Sequence, residues 1–365
     1  MRLAISAGEA SGDAYAEALV REAIRVNPNL QIEAIGGQRL AKTSAKIVAD
    51  SSKWGAVGII ESLRVAPRIL GGYYRMKRAL RSGTPGVFIA IDFGYANIRL
   101  ARLAKNRGWK VLYFIPPGSW RRTKQGADLP KVADLIVTPF PWSAEILNDM
   151  GARAYFFGHP LVEMIGPADD HAPRAGIALL PGSREHEILH NFGPVVEALA
   201  KWPNEPVTVA AAPTVTADQL KALWVKCGGD PKRLHVSSDR HQVLKSAKAA
   251  IVCSGTATLE AALCDCPTVV VYRGSKLFEL EAKLRKPKFD FISLPNILLG
   301  RALLPELILW NATAGAIEQA LTPLLEPSSS EAAAQLAGFG ELRETLGQQS
   351  AISKTVELLA HESWI

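Results

Sequence analysis

GIALLPGSREHEIL, from Gly176 to Leu189, is a strand that runs straight into a helix. The short apolar run Ile177 to Leu180 reads as a buried strand, Pro181-Gly182-Ser183 breaks it, and a polar, helix-starting segment follows at once. A strand that meets a helix through a Gly turn leaves unpaired N–H groups and the positive end of the helix dipole at its carboxyl end, a setting for a diphosphate. Arg184 adds a planar cation suited to bidentate contact. An ordinary βα turn has the same local appearance. Position decides between them: the stretch opens the second half of the chain, and the first half opens the same way, with Leu3 to Ser6 followed by Ala7-Gly8-Glu9-Ala10-Ser11-Gly12-Asp13.

The first half alternates strands and helices. After that opening, Ala16, Leu19, Val20, Ala23 and Ile24 form an apolar stripe at helical spacing. Gln31 to Ile35, Val87 to Ile91, Lys110 to Ile115 and Asp134 to Thr138 read as strands, and Asn97 to Arg107 as a helix. Alternation without tight hairpins predicts a parallel sheet with helices on both faces, whose ligands sit beyond the carboxyl ends of the strands. Asp92 stands at such an end, directly after VFIAI. A helix cap is the plainer role, but the helical pattern begins only at Asn97, which favours a general base.

Ser62 to Arg81 interleaves Leu63, Ile69, Leu70, Tyr73, Tyr74, Met76 and Leu80 with Arg64, Arg68, Arg75, Lys77, Arg78 and Arg81. Such a segment suits an anionic lipid surface, and equally a core-facing helix with a solvated basic face. Gly71-Gly72 is expected to break it in either case.

The second half repeats the architecture without repeating the sequence. Helices at Glu185 to Lys201, Ala217 to Lys226 and Ala257 to Cys264 alternate with strands at Pro206 to Ala211, Ala249 to Cys253 and Pro267 to Tyr272. Ser254-Gly255-Thr256 can offer amides and hydroxyls to phosphates, and Glu260, one helical turn on, can accept both hydroxyls of a ribose. A capping hydroxyl and a solvated helix Glu remain the plainer readings. The expected fold is α/β of the GT-B kind, two doubly wound Rossmann-like domains facing across a cleft. Its expected parts are 1–162, the acceptor domain; 163–329, the UDP-sugar donor domain; and 330–365, helices packing back on the first domain.

Composition agrees with this. At 365 residues two domains are expected, and 48% hydrophobic with 21% charged residues is the balance of a globular protein. A net charge of +7 favours anionic partners, and with no RNA- or DNA-binding motif and basic residues spread along the chain, nucleic acid ranks last. Cys227, Cys253, Cys264 and Cys266 lack zinc-site spacing and suit reduced thiols in the cytoplasm. Neither a signal peptide nor a membrane-spanning run is present in the sequence. His186-Glu187-Ile188-Leu189-His190 is a literal H-E-x-x-H. It opens a helix straight after a strand–Pro–Gly–Ser loop and has no evident third ligand, so no metal and no cofactor are expected.

Taken together, these motifs resemble the lipid-A-disaccharide synthase family, inverting GT-B glycosyltransferases of lipid A assembly, over nearly the whole chain. The resemblance rests on Ala7 to Asp13, Ile35-Gly36-Gly37, Gly158-His159-Pro160-Leu161, Leu179 to Arg184 with Glu187, Ser254 to Glu260 and Leu294-Pro295-Asn296. Gly58 with Glu61, and Ile91-Asp92 with Asn97, match more weakly. The chain departs from the family at Gly94 and Tyr95, where Pro and Asp are usual, and at Pro116 to Thr123, which keeps one Pro and Trp120 of a Trp- and Ser-rich loop.

The resemblance implies transfer of 2,3-diacylglucosamine from UDP to 2,3-diacylglucosamine 1-phosphate, giving a β-1,6 disaccharide and UDP. It places Gly182, Ser183, Arg184, Glu187, Ser254, Gly255, Thr256, Glu260 and Asn296 on the donor. On the acceptor it places Gly8, Glu9, Ser11, Gly12, Asp13, Glu61, Asn97 and Trp120. Asp92 would be the base. The resemblance also implies a peripheral protein on the inner face of the cytoplasmic membrane, with a homodimer as an open assembly. A GT-B UDP-sugar transferase or epimerase with a non-lipid acceptor would share the donor motifs and differ around Tyr95 and Trp120. An inactive or zinc-dependent protein built around His186 and His190 is the remaining class.

Overall fold

The computed structural model describes residues 1–54, 59–117, 124–167, 173–212, 214–274, 279, 290–347 and 350–365, with the backbone alone at 59–64, 95 and 124–126. These form two units, Met1–Met164 with Thr345–Ile365, and Ile165–Glu344.

The first unit runs β1 (Arg2–Ala7), α1 (Ala10–Val26), β2 (Gln31–Gly36), β3 (Lys46–Asp50), α2 (Ile59–Arg81), β4 (Val87–Ile91) and α3 (Gly94–Lys105). It continues through β5 (Lys110–Phe114), α4 (Lys124–Val132), β6 (Leu135–Val137), α5 (Pro141–Asp149), β7 (Ala154–Tyr155) and α6 (Pro160–Ile165). Its seven strands lie in the order β3-β2-β1-β4-β5-β6-β7, all pairs parallel. Buried β1, β4 and β5 are near-continuous apolar runs because helices cover both faces. The strand order reverses between β1 and β4, so the loops after these two strands flank the natural ligand crevice of the sheet. They are the loops of Gly8 to Asp13 and of Asp92.

The second unit runs β8 (Ile177–Leu180), α7 (Glu185–Leu199), β9 (Val207–Ala210), α8 (Ala217–Lys226), β10 (Leu234–Ser237), α9 (Arg240–Ser246), β11 (Ala249–Cys253) and α10 (Thr256–Leu263). After it come β12 (Thr268–Tyr272), α11 (Leu294–Leu299), β13 (Glu306–Ile308), α12 (Ala314–Leu321) and α13 (Ser330–Leu346). Its parallel sheet has the order β10-β9-β8-β11-β12-β13, reversing between β8 and β11. The loops at this second switch point are Pro181 to Arg184 and Ser254 to Thr256. Both units are therefore doubly wound, the architecture of a GT-B protein.

Three expectations change. Helix α2 runs unbroken through Pro67 and Gly71-Gly72. Gly72 is required for packing there, since a Cβ on it would overlap the Trp54 indole. Helix α3 starts at Gly94 rather than Asn97, because Asp92, Phe93 and Gly94 turn the chain through three successive positive φ angles of 45°, 54° and 31°. The tail does not pack as one piece on the first domain. Helix α13 lies on the second unit, where Gln335 accepts from Thr268 N at 2.7 Å and donates to Thr268 O at 3.2 Å, and where Phe339 and Leu342 join Ala262, Val270 and Leu304. Only α14 (Ala351–His361) returns to the first unit, where it packs on α1. Glu163 fixes its start by accepting from Ile352 N at 2.7 Å and Ser353 Oγ at 2.9 Å. Each helix settles where its own polar groups find partners.

Candidate active site

In the first unit the Asp92 carbonyl is held from two sides. Asn97 Nδ2 donates to it at 3.0 Å and also to the carbonyls of Ser6 (3.0 Å) and Ile91 (2.9 Å), joining the carboxyl ends of β1 and β4. Tyr113 donates its hydroxyl to the same carbonyl at 2.9 Å from the end of β5. Asn97 is fully buried and clamps these strand ends through Nδ2. The Asp92 carboxyl is pushed up from an ordinary 3.8 to about 7, first by burial and then by the negative charge of Glu9, with a Phe93 backbone hydrogen bond opposing. A carboxyl that ionises near neutrality is suited to take a proton from a hydroxyl.

Glu9 precedes α1 in an extended conformation and its side chain does not cap the first amides of that helix, those of Ser11 and Gly12 included. Asp13 is different. Its Oδ1 accepts from Gly37 N (2.6 Å) and Leu40 N (3.2 Å), and its Oδ2 from Arg39 N (2.9 Å). This buried carboxylate ties the Gly36-Gly37 loop to α1, which gives both motifs a structural role. Gly8 seats the Phe93 ring, which a Cβ would overlap. Glu61 falls on the first turn of α2, where only backbone is described, and Trp120 lies outside the described residues.

In the second unit, Gly182 turns at φ 128°, and a Cβ there would come 2.7 Å from Glu187. Glu187 is 2% exposed. Its Oε2 accepts from the amides of Ser183 (3.2 Å) and Arg184 (3.3 Å), and its Oε1 binds Arg184 Nη1 at 2.6 Å. The amides expected to meet phosphate therefore already carry an internal carboxylate, and the Glu of the H-E-x-x-H serves as this loop's anchor. Asn191 extends the anchor by donating to Pro181 O (2.8 Å) and accepting from Arg273 N (2.8 Å).

The second loop is more open. Gly255, at φ 141°, precedes α10 with no side-chain cap, and a Cβ there would meet nothing within 4 Å. Ser254 donates its hydroxyl to Ile292 O at 2.9 Å. Glu260 is 1% exposed, with Oε2 2.8 Å from Arg240 Nε and 3.8 Å from His241 Nε2. Asn296 is saturated: Nδ2 donates to Leu304 O (2.9 Å) and Glu306 Oε1 (2.8 Å), while Oδ1 accepts from Leu303 N (2.9 Å) and Leu304 N (2.8 Å). It folds the Leu294-Pro295-Asn296 turn and leaves nothing for a donor. Glu306 completes that turn by accepting from the amides of Ile292 and Ser293, each at 2.9 Å. Arg240, Glu306, Asn191 and Tyr113 carry no local signal in the sequence, because each acts on a residue distant in the chain. Among the described residues no group of three or more His, Cys, Asp or Glu is placed to hold a metal ion.

A family model described as lipid-A-disaccharide synthetase matches residues 3–360. The lipid-A-disaccharide synthase of Geobacter sulfurreducens is 32% identical, with the match covering 95% of this chain and 93% of that protein. The chain belongs to the lipid-A-disaccharide synthase family. It is a glycosyltransferase of lipid A biosynthesis, and its family motifs divide into those that build the loops (Asp13, Asn97, Glu187, Asn296) and those that the loops present. Solved structures agree on the fold. The UDP-GlcNAc 2-epimerase of Neisseria meningitidis bound to UDP-GlcNAc superposes with TM-score 0.63 at 12% identity, covering 99% of this chain and all of that one. Acinetobacter baumannii MurG gives 0.56 at 14% identity, covering 99% of each. No described helix of this synthase-family chain is long and apolar enough to cross a membrane.

Proposed function

We propose that this protein joins two acylated glucosamines, transferring 2,3-diacylglucosamine from UDP to the 6-hydroxyl of 2,3-diacylglucosamine 1-phosphate with inversion and without a metal. The first unit supplies the base. Asp92 takes the hydroxyl proton as the oxygen bonds to C1 of the donor sugar, the bond from C1 to the diphosphate oxygen breaks, and UDP leaves with the electron pair. The observation that carries this reading is the Asp92 carboxyl, held at the strand-order reversal and ionising near neutrality.

The second unit holds UDP. With the Ser183 and Arg184 amides engaged by Glu187, the uncapped start of α10 at Gly255 and Thr256 is the better seat for the diphosphate. Arg184 contributes charge beside it and Glu260, steadied by Arg240, meets the ribose. The uncapped start of α1 at Ser11 and Gly12 suits the acceptor phosphate. Helix α2 exposes Leu70 and Tyr74 among Arg68, Arg75, Arg78 and Arg81, a face fit for an anionic bilayer.

Mass spectrometry of the products from UDP-2,3-diacylglucosamine and 2,3-diacylglucosamine 1-phosphate tests this reading. A tetraacyl disaccharide phosphate with a β linkage by NMR is expected. An epimerised sugar nucleotide, or no disaccharide, would overturn it.

A further inference from the structure

Three consecutive left-handed residues are costly and persist only where their surroundings over-determine them. Asn97 and Tyr113 hold the main chain of the Asp92–Phe93–Gly94 turn. Its side-chain anchor is a tilted pair of rings. The Phe93 ring rests on the bare backbone of Gly8, and its centroid lies 5.6 Å from that of Trp54. Trp54 is 4% exposed and is itself seated on Gly72 of α2. The order is thus Gly72, Trp54, Phe93, Gly8, with two glycines closing a tilted pair of rings and the Asp92 turn attached to the inner one.

We propose that Trp54 is a positioning residue for glycosyl transfer, fixing through Phe93 the left-handed turn that aims the Asp92 carboxyl. Trp54 carries no chemistry of its own and lies between α2 and the turn. The inference rests on Asp92 acting as the base. It explains why α2 keeps a helix-weakening glycine at position 72, where the missing side chain is the room the indole occupies.

The test compares two adjacent glycines of one helix. A Cβ at Gly71 meets nothing within 4 Å, whereas one at Gly72 displaces the indole. Gly72→Ala should lower kcat about tenfold or more, since small misplacements of a reacting group are expensive. It should leave KM for the sugar nucleotide and the UDP dissociation constant within about twofold, because UDP binding is assigned to the second unit. Gly71→Ala should match the wild type. Trp54→Leu should repeat the kcat loss and Trp54→Phe recover most of it. In an Asp92→Asn background Gly72→Ala should add nothing further.

A Gly72→Ala enzyme with wild-type kcat overturns the proposal, as does an equal loss in the Asp92→Asn background. If Gly72→Ala does not fold, the contrast between Trp54→Leu and Trp54→Phe decides alone, and equal kcat in the two overturns it. Wild-type turnover in Asp92→Asn itself refutes the base, a failure separate from that of the ring pair.

Discussion

Arg184 and Glu187 face each other across one turn at the start of α7, Nη1 to Oε1 at 2.6 Å, with the carboxylate almost wholly buried and the guanidinium half out. Arg184 is therefore both a loop anchor and the loop's charge. Arg184→Ala should weaken UDP binding by about 1.5–3 kcal/mol and also lower stability, because it leaves a buried carboxylate short of a partner. Calorimetry with UDP and urea unfolding read the two losses separately. Wild-type UDP affinity in a folded variant would move the diphosphate away from this loop.

Asp92 makes two pH predictions. As a base it must be ionised, so kcat/KM should rise about tenfold per pH unit on the acid side and level off above about 7. Its folded-state pKa lies above the unfolded value of 3.8, so between about 4 and 7 the unfolded chain has lost a proton that the native state keeps. Stability from this group therefore falls as pH rises through that window and is flat beyond it. Asp92→Asn should be more stable than wild type at pH 8 and level with it at pH 3.5, while turnover drops about 10²–10⁴-fold. Chemical denaturation at the two pH values checks the sign.

Asn296 makes four hydrogen bonds and faces no solvent. Asn296→Ala should cost roughly 3 kcal/mol, since each orphaned buried group costs about 1–3 kcal/mol. The folded fraction should bind UDP normally. A selective loss of UDP affinity without a stability change would return Asn296 to the donor site.

Asp13→Asn keeps the shape but leaves one strong acceptor where two oxygens serve three amides. A stability loss of about 1–3 kcal/mol is expected. Limited proteolysis should then cut first near Gly37, a site protected in the wild type.

The H-E-x-x-H segment predicts a protein without stoichiometric zinc. Glu187 is engaged by Arg184 and two amides, and freeing it would dismantle the loop. Elemental analysis should find no zinc, and EDTA should leave turnover unchanged. One zinc per chain, lost with activity in His190→Ala, would reverse this.

Fold class and the loops that matter were legible because strand runs, Gly turns and helical stripes are local signals. Val87–Ile91 and Ala249–Cys253 are strands with the bounds their apolar runs suggest. Roles inside the motifs were not. Asp13, Glu187 and Asn296 look like ligand residues in sequence, yet Asp13 is engaged by amides 24 to 27 residues away, Glu187 by its own loop and Arg184, and Asn296 by the Leu303-Leu304 backbone and Glu306. Arg240 was invisible for the converse reason, since its importance depends on Glu260 arriving beside it. Gly72 looked like a helix breaker because sequence shows the propensity cost but not the indole that needs the space.

Helix α14 belongs to the first unit although the whole of Ile165–Glu344 intervenes between them. On the ribosome, α1 therefore emerges long before the helix that covers it, and the apolar positions that meet Ile352, Val356 and Leu359 stay wet until a second domain has been translated. Completion of the Asp92 half therefore waits on synthesis of the intervening unit. A nick after Leu346 would loosen that half and leave the Ile165–Glu344 unit covalently intact.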